Sequence, residues 1–416
     1  MKSKNKVPLL LVLLSLELSV AVPVSGIESF TIESAAARSL AQNVDLAAAR
    51  LSIEEARGRW QQAGRHANPE LDSELKPNVN GREGAWQLGF TQKFPLTSRL
   101  RRERSVSRAH VAVAEAEVRE AERKLLLEVR SIGVRLAALD AHAELRRRQI
   151  VNSRELVEAA RKSAARGEGT ALEAAQFELE AERLAAHQLT LDAERLQLLA
   201  ELRPLLGLDT DTPIEFRDVL PVASAKVAEG ADMDRQPVAQ AAAARVLAAR
   251  EGVELARAQR WEDAGVGLFG EVERGEDAPT GLRTDGFVGV RFTLPLPFWN
   301  RNEGRIQEAT ASAARAEKEA AALAQRQRAE AAAARVQMTT SLKISANLAT
   351  NLVPRAAALE ERLRALLAQG QSQIADVLRA REQRLELESS QLDALREYHL
   401  ARTRHESITR LPVPNP

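Results

Sequence analysis

Residues 86–91 read Trp-Gln-Leu-Gly-Phe-Thr, and residues 288–294 read Val-Gly-Val-Arg-Phe-Thr-Leu. Apolar side chains alternate with small or polar ones in both, the period of a strand with one apolar face. Two more stretches alternate in the same way. Leu71, Ser73 and Leu75 stand against Asp72, Glu74 and Lys76, and Val266 and Leu268 lead into Val272 against Glu271 and Glu273. Ten of the fourteen aromatic residues fall within 60–99 and 261–299, among them Trp86, Phe90, Phe94, Phe287, Phe292, Phe298 and Trp299. One apolar face, one polar face and concentrated aromatics are what a strand of a membrane β-barrel requires. In a bilayer only helices and closed barrels satisfy every backbone polar group. Four strands cannot close a barrel, so several copies would contribute strands to a shared one. A small soluble β-domain inserted twice into a helical protein is the competing reading.

Outward from these windows the pattern is helical. A helix is expected from about Ile32 to Arg65, a very long one from Arg99 to Ala165, and another from about Ala171 to Leu206. After a Pro- and Asp-bearing linker the order repeats. A helix runs to about Trp261, two alternating segments follow within 265–298, and a long helix starts near Arg301. A turn at Gly370 then leads to a final helix ending near Leu411. Pro354 marks a kink or break in the second long helix. Phe94-Pro95-Leu96 before Arg99 mirrors Leu296-Pro297-Phe298 before Arg301, and Trp60 mirrors Trp261. The offset is about 200 residues each time, the mark of an internal duplication. At 1.5 Å per residue, 99–165 spans about 100 Å, too long for a compact domain. Val111, Ala114, Val118, Ala121, Leu125 and Val129 recur at three- and four-residue steps. Glu115, Arg119, Glu122 and Arg123 occupy other faces, a coiled-coil-like arrangement.

Composition excludes several kinds of chemistry. Among 416 residues 28% are charged, 3% are aromatic and none is cysteine. There is therefore no disulfide framework, no thiolate metal site and no cysteine nucleophile. A net charge of +1 gives no footprint for nucleic acid. Gly265-Val266-Gly267-Leu268-Phe269-Gly270 matches the dinucleotide-binding glycine pattern, but a strand should precede it and a helix follow it. Here the order is helix, then alternating segment. The six histidines (His66, His110, His142, His187, His399 and His405) show no ligand spacing and read as polar residues on solvated helix faces. No catalytic, cofactor-binding or metal-ligating set emerges, so the chain does not read as an enzyme.

The first residues read as an export signal. Lys2, Lys4 and Lys6 precede an apolar run from Val7 to Leu16, and the small residues of Val24-Ser25-Gly26 follow. Removal of 1–26 would take away three lysines and Glu17, moving the net charge from +1 to −1. No later stretch approaches the ~20 apolar residues of a membrane helix.

The order helix, two strands, long helix, turn, helix, given twice, resembles the TolC-type outer-membrane efflux family over about 30–410. Leu294-Pro-Leu-Pro-Phe-Trp-Asn-Arg-Asn-Glu-Gly304 is similar to the PLPxxxRNxG run of its CzcC-like cobalt–zinc–cadmium branch. Asn68-Pro-Glu-Leu71 and Leu202-Arg-Pro-Leu-Leu-Gly207 fit as well, and Gly370 with Ile374 to Leu378 resembles the turn at the periplasmic tip. The fold this implies is mainly α with a small β part. Each protomer would hold a duplicated helix–strand–strand–long helix–helix unit, and the trimer an α-helical periplasmic barrel joined to a shared twelve-stranded transmembrane β-barrel. The implied divisions are a signal peptide at 1–26, a first repeat at 27–206 and a linker at 207–236. A second repeat at 237–411 and a tail at 412–416 follow. Strands are expected within 70–95 and 265–298, and tips near 166–170 and 369–373.

The resemblance implies a homotrimer in the outer membrane of a Gram-negative-type envelope, in contact with outer-membrane lipid. Its partners would be a periplasmic adaptor (membrane fusion) protein and an inner-membrane RND-type pump. The function implied is a passive exit duct without cofactors, exporting divalent heavy-metal cations; drug efflux and type I secretion are alternatives within the family. A soluble periplasmic coiled-coil scaffold is an alternative from another class. The gate candidates are Asp376 and its first-half counterpart Glu173, with Arg379, Gly167, Gly169 and Gly370 around them. Arg379 replaces a second acid that many relatives carry.

Overall fold

The computed structural model describes residues 28–410 apart from 80–81, 168–169, 225–232, 278 and 280; of Glu173 and Asp277 only the backbone is described. The expected signal peptide, Gly169 and the tail at 412–416 lie outside the described residues.

The backbone begins with β1 (Glu28–Phe30), α1 (Ile32–Gln42) and α2 (Val44–Gln62). One continuous helix was expected there. Asn43 divides it: its Oδ1 accepts from the Leu46 amide at 2.7 Å, capping α2, while its Nδ2 donates to the Leu205 carbonyl at 3.2 Å. An asparagine that caps one helix and holds the end of another outcompetes a continuous hydrogen-bond ladder. β2 (Glu70–Pro77) and β3 (Gly84–Phe94) follow, then α3 (Arg99–Ala165) and α4 (Ala171–Leu205). α3 occupies the 67 residues that its periodicity predicts.

β4 (Ile214–Phe216) pairs in parallel with β1, forming a two-stranded sheet that the sequence did not reveal. Runs of three residues carry too little alternation to register. The remaining elements are α5 (Pro237–Ala258), β5 (Ala264–Asp277), β6 (Gly281–Thr293), α6 (Glu303–Asn347), α7 (Val353–Ala368) and α8 (Ile374–Thr409). A π-helical turn at Leu348–Leu352 joins α6 to α7, with the Val353 amide donating to the Leu348 carbonyl. Proline has no amide hydrogen, and its ring crowds the carbonyl four residues back. The widened turn lies immediately before Pro354, so the expected break is a local π-bulge in an otherwise running helix.

The main core sits where α1, α3, α4 and the β1–β4 pair meet. Val129, Leu136, Leu202 and Leu206 are fully buried there beside Phe30 and Phe216. α3 also packs on α5, α4 and α8, and between the waist and the strands Ala109, Ala114 and Ala116 are buried on it. Small side chains let helix axes approach closely, so long rods pack without aromatic bulk. No helix among the described residues is long and apolar enough to cross a membrane.

Three of the six histidines depart from the solvated-face expectation. His399 and His405 are buried, and the His142 side chain is mostly covered and lies 3.3 Å from Asp393. The long helices exclude water on more than one face, so imidazoles are caught between them.

Candidate functional site

The four longer strands form one antiparallel sheet in the order β2-β3-β5-β6. Trp86 pairs with Leu75 and Val272, Phe90 with Leu71 and Leu268, and Val290 with Leu268. Paired residues share a face, so these apolar residues form a single surface with Leu88, Val266, Val288 and Phe292. It is open to the surroundings: Phe90 is 48% exposed and Phe292 75%. The Trp86 indole N–H is satisfied within the sheet by Ser73 Oγ at 3.0 Å. The opposite face mixes glycines and threonines with charged residues such as Glu74, Glu271, Glu273, Asp285 and Arg291, and Gln87 is buried there. The glycine-rich run 265–270 lies wholly within β5, which rules out the strand–loop–helix context of a dinucleotide site.

Of the aromatic candidates, Trp86 and Phe90 lie on the apolar face, and Phe94 ends β3 on that same face. Phe287 does not: it pairs with Glu271 and lies on the polar face. The stretch 286–288 is Gly-Phe-Val, so the alternation alone does not say which of two adjacent apolar residues faces out. Phe298 and Trp299 lie beyond β6, which ends at Thr293, in the connection to α6, where their rings meet edge to face at 6.2 Å. Pro295 and Pro297 stop the ladder before them. A second inward ring, Phe269, fills the space over Gly289, where a Cβ would come 2.5 Å from its Cζ. The Arg291 guanidinium covers that ring at 5.3 Å.

The junction between strands and helices is held by the Asn-Arg-Asn run of the quoted motif, by Arg99, and by Thr97, which the motif reading did not single out. Asn302 is the one described non-glycine residue at positive φ, +61°. Its Nδ2 donates to the Ala256 carbonyl at 2.8 Å, and its amide donates to Asn300 Oδ1 at 3.0 Å. Asparagine tolerates this conformation better than most residues, which gives the Asn-Arg-Asn run a physical role in turning the chain into α6. In the first half Thr97 donates to the Ala258 carbonyl at 2.7 Å, and Arg99 joins Asp263 at 2.6 Å. Both repeats are thus tied to the end of α5. Trp261 lies three residues past that end.

At the opposite end, Gly167 and Gly370 turn the α3–α4 and α7–α8 hairpins with φ of +75° and +71°. Glu173 and Asp376 each occupy the third position of the helix that follows. The Asp376 carboxylate accepts from the Gln373 amide at 3.3 Å and lies 3.5 Å from Arg379, whose guanidinium covers the Phe177 ring at 5.7 Å. Asp376 is therefore a helix-capping acid that is 44% exposed.

A sequence model described as outer membrane efflux protein matches residues 35–208. No curated protein matches the chain by sequence. Solved structures match along nearly all of it. The Campylobacter jejuni CmeC outer membrane channel superposes with a TM-score of 0.73 at 15% identity, over 91% of this chain and 85% of that one. The outer-membrane channel OprN gives 0.75 at 18% identity, over 92% and 90%. CusC, whose crystal structures concern folding and transmembrane channel formation, gives 0.74 at 16% identity, over 91% and 92%. The chain has the fold of these proteins: mainly helical, with one small sheet part.

Proposed function

We propose that three copies of this chain form the outer-membrane exit duct of a tripartite efflux system, each adding β2, β3, β5 and β6 to a twelve-stranded barrel. The observation that carries this reading is the sheet itself. β2 and β6 are free edges, and β6 runs 13 residues beside an exposed apolar face. In water such an edge invites aggregation. In a bilayer it must be paired, and the partner on offer is β2 of another copy. The family match at 35–208 and the likeness to solved outer-membrane channels point the same way.

Residues 1–26 would direct export, 27–206 and 237–411 would be the two repeats, and 207–236 the linker between them. The helices would extend through the periplasm toward an adaptor and an inner-membrane RND-type pump. Divalent heavy-metal cations are the cargo suggested by the CzcC-like run ending at Gly304. Conduction would be passive, the chain supplying an apolar surface to lipid and a polar one to cargo. Purified protein should be a trimer in detergent and open ion-conducting pores in planar bilayers; a detergent-independent monomer without pores would overturn the reading.

Asp376, with Glu173 at the equivalent position, would narrow the tip as an acidic ring. Asp376→Ala should then change conductance or cation preference, and unchanged currents would remove Asp376 from the ring.

A further inference from the structure

On the reading that the polar face of the sheet lines a pore, we infer that this pore is charge-polarised along its axis, basic where strands meet helices and acidic toward the hairpin turns, and so passes current asymmetrically. The register places the charges. Toward the turns the polar face carries Asp285 opposite Glu273, then Glu271, then Glu74. Its cations here are already paired, Arg283 with Asp285 at 3.0 Å and Lys76 with Glu74 at 3.2 Å. Glu271 and Glu273 have no ion pair among the described residues, which leaves a net negative band.

Nearer the helices the balance reverses. A cavity of about 1010 Å³ opens on the polar side of the junction, lined by Arg260, Arg291 and Arg305. None of the three has an ion pair among the described residues, and Arg291 instead covers Phe269. Of the carboxylates here, Glu70 is bound to Lys93 at 2.6 Å and Asp263 to Arg99 at 2.6 Å. Glu262 and Asp72, which also lines the cavity, are left facing three guanidiniums, so the lining of four carboxylates and five cations carries a net charge of +1.

Distance decides whether the bands act separately. Arg291 is opposite Gly267, four residues from Glu271 and six from Glu273 along β5. At about 3.4 Å per residue the separation is about 14–20 Å. The screening length is ~8 Å at physiological ionic strength, so neither band cancels the other. Threefold repetition would turn each into a ring. Two rings of opposite sign in series accumulate ions under one polarity and deplete them under the other.

The test is current–voltage measurement on full-length protein added to one side of a planar bilayer, where the helical body keeps insertion one-way. Currents at opposite voltages should differ by about twofold or more in ~0.1 M KCl and become nearly equal at ~1 M, where screening falls to ~3 Å. Arg260→Gln with Arg305→Gln, and separately Glu271→Gln with Glu273→Gln, should each reduce the asymmetry. Their conductance at high salt should match the parent, which checks that the pore is intact. Equal currents at both polarities in low salt, or an asymmetry that neither pair alters, would overturn the charge bands and leave the duct standing. Absence of pores would overturn both.

Discussion

His399 is held from two sides. Its Nε2 donates to the Pro221 carbonyl at 2.8 Å, while the neighbouring Tyr398 hydroxyl donates to the Ser224 carbonyl at 2.5 Å. Together they strap the described start of the linker onto α8. Burial pushes the His399 pKa below its ordinary 6.5, against the hydrogen bond to Pro221, and the Arg402 charge adds to the fall. His142 is lowered mainly by burial despite Asp393, and His405 by burial and Arg335. For each, the folded state binds fewer protons than the unfolded chain between the folded value and 6.5. Stability is therefore full above about 6.5 and declines as pH falls through that window. Glu382 runs the other way: burial, then Glu180 and Glu386, raise its carboxyl above the usual 4.5, so its contribution is lost as pH rises. The histidines should dominate between pH ~7.5 and ~5.5 because three titrate together. The thermal midpoint in detergent should fall on acidification across that range, and His399→Gln, which keeps a donor but cannot titrate, should make the fall smaller. A midpoint that rises on acidification, or an identical slope in the variant, would refute the assignment.

At the scale of elements, the two faces of the sheet make opposite demands. Val290 lies on the apolar face of the edge strand β6, opposite Leu268, whereas Thr91 lies on the polar face opposite Gly267 and Glu70. A lysine at Val290 would meet lipid at a cost of about 2–4 kcal/mol if it lies near the bilayer midplane. A lysine at Thr91 would meet water. Val290→Lys should sharply reduce the membrane-inserted fraction, while Thr91→Lys leaves it nearly intact; fractionation of cell envelopes distinguishes them, and equal losses would refute the facing. This alternation was legible in the sequence because period two survives wherever one face is apolar throughout. Phe287 was not placed, because an apolar residue between Gly286 and Val288 fits either face. The break at Asn43 and the β1–β4 pair were also missed. Both are fixed by contacts distant in sequence, Leu205 in one case and the 214–216 strand in the other. The tip glycines were legible for the opposite reason: a reversal between two long helices needs a left-handed residue, and glycine supplies it.

Over the whole molecule the free edges of helices and strands fall in the same order. Beyond the waist, α4 packs chiefly on α3, α3 on α8, and α8 on α6 and α7, so the described helices form an open row with α4 at one end and α6–α7 at the other. Both ends expose apolar residues at helical spacing: Leu172, Leu179, Leu189 and Leu196 on α4, and Val336, Ile344, Leu352, Leu359 and Leu366 along α6 to α7. The sheet is open in the same sense, with β2 from the first repeat at one edge and β6 from the second at the other. An open row with unlike ends joins head to tail, and the contact closes into a ring if the rotation per copy divides a full turn. Depth fixes the partners. Leu179 lies eight residues from the start of α4 at Ala171 and Leu359 nine from the end of α7 at Ala368, so both stand about 12–14 Å from the turn ends of their helices at 1.5 Å per residue. The chain has no cysteine, so a pair placed at these positions reports on itself alone. Leu179→Cys with Leu359→Cys, oxidised in the membrane, should give a covalent ladder that ends at three chains, while either single variant stays monomeric on a denaturing gel. A ladder running past three would mean that the contact does not close. Intramolecular bridging alone would mean that α4 and α7 meet within one chain and that the exposed leucines serve another surface.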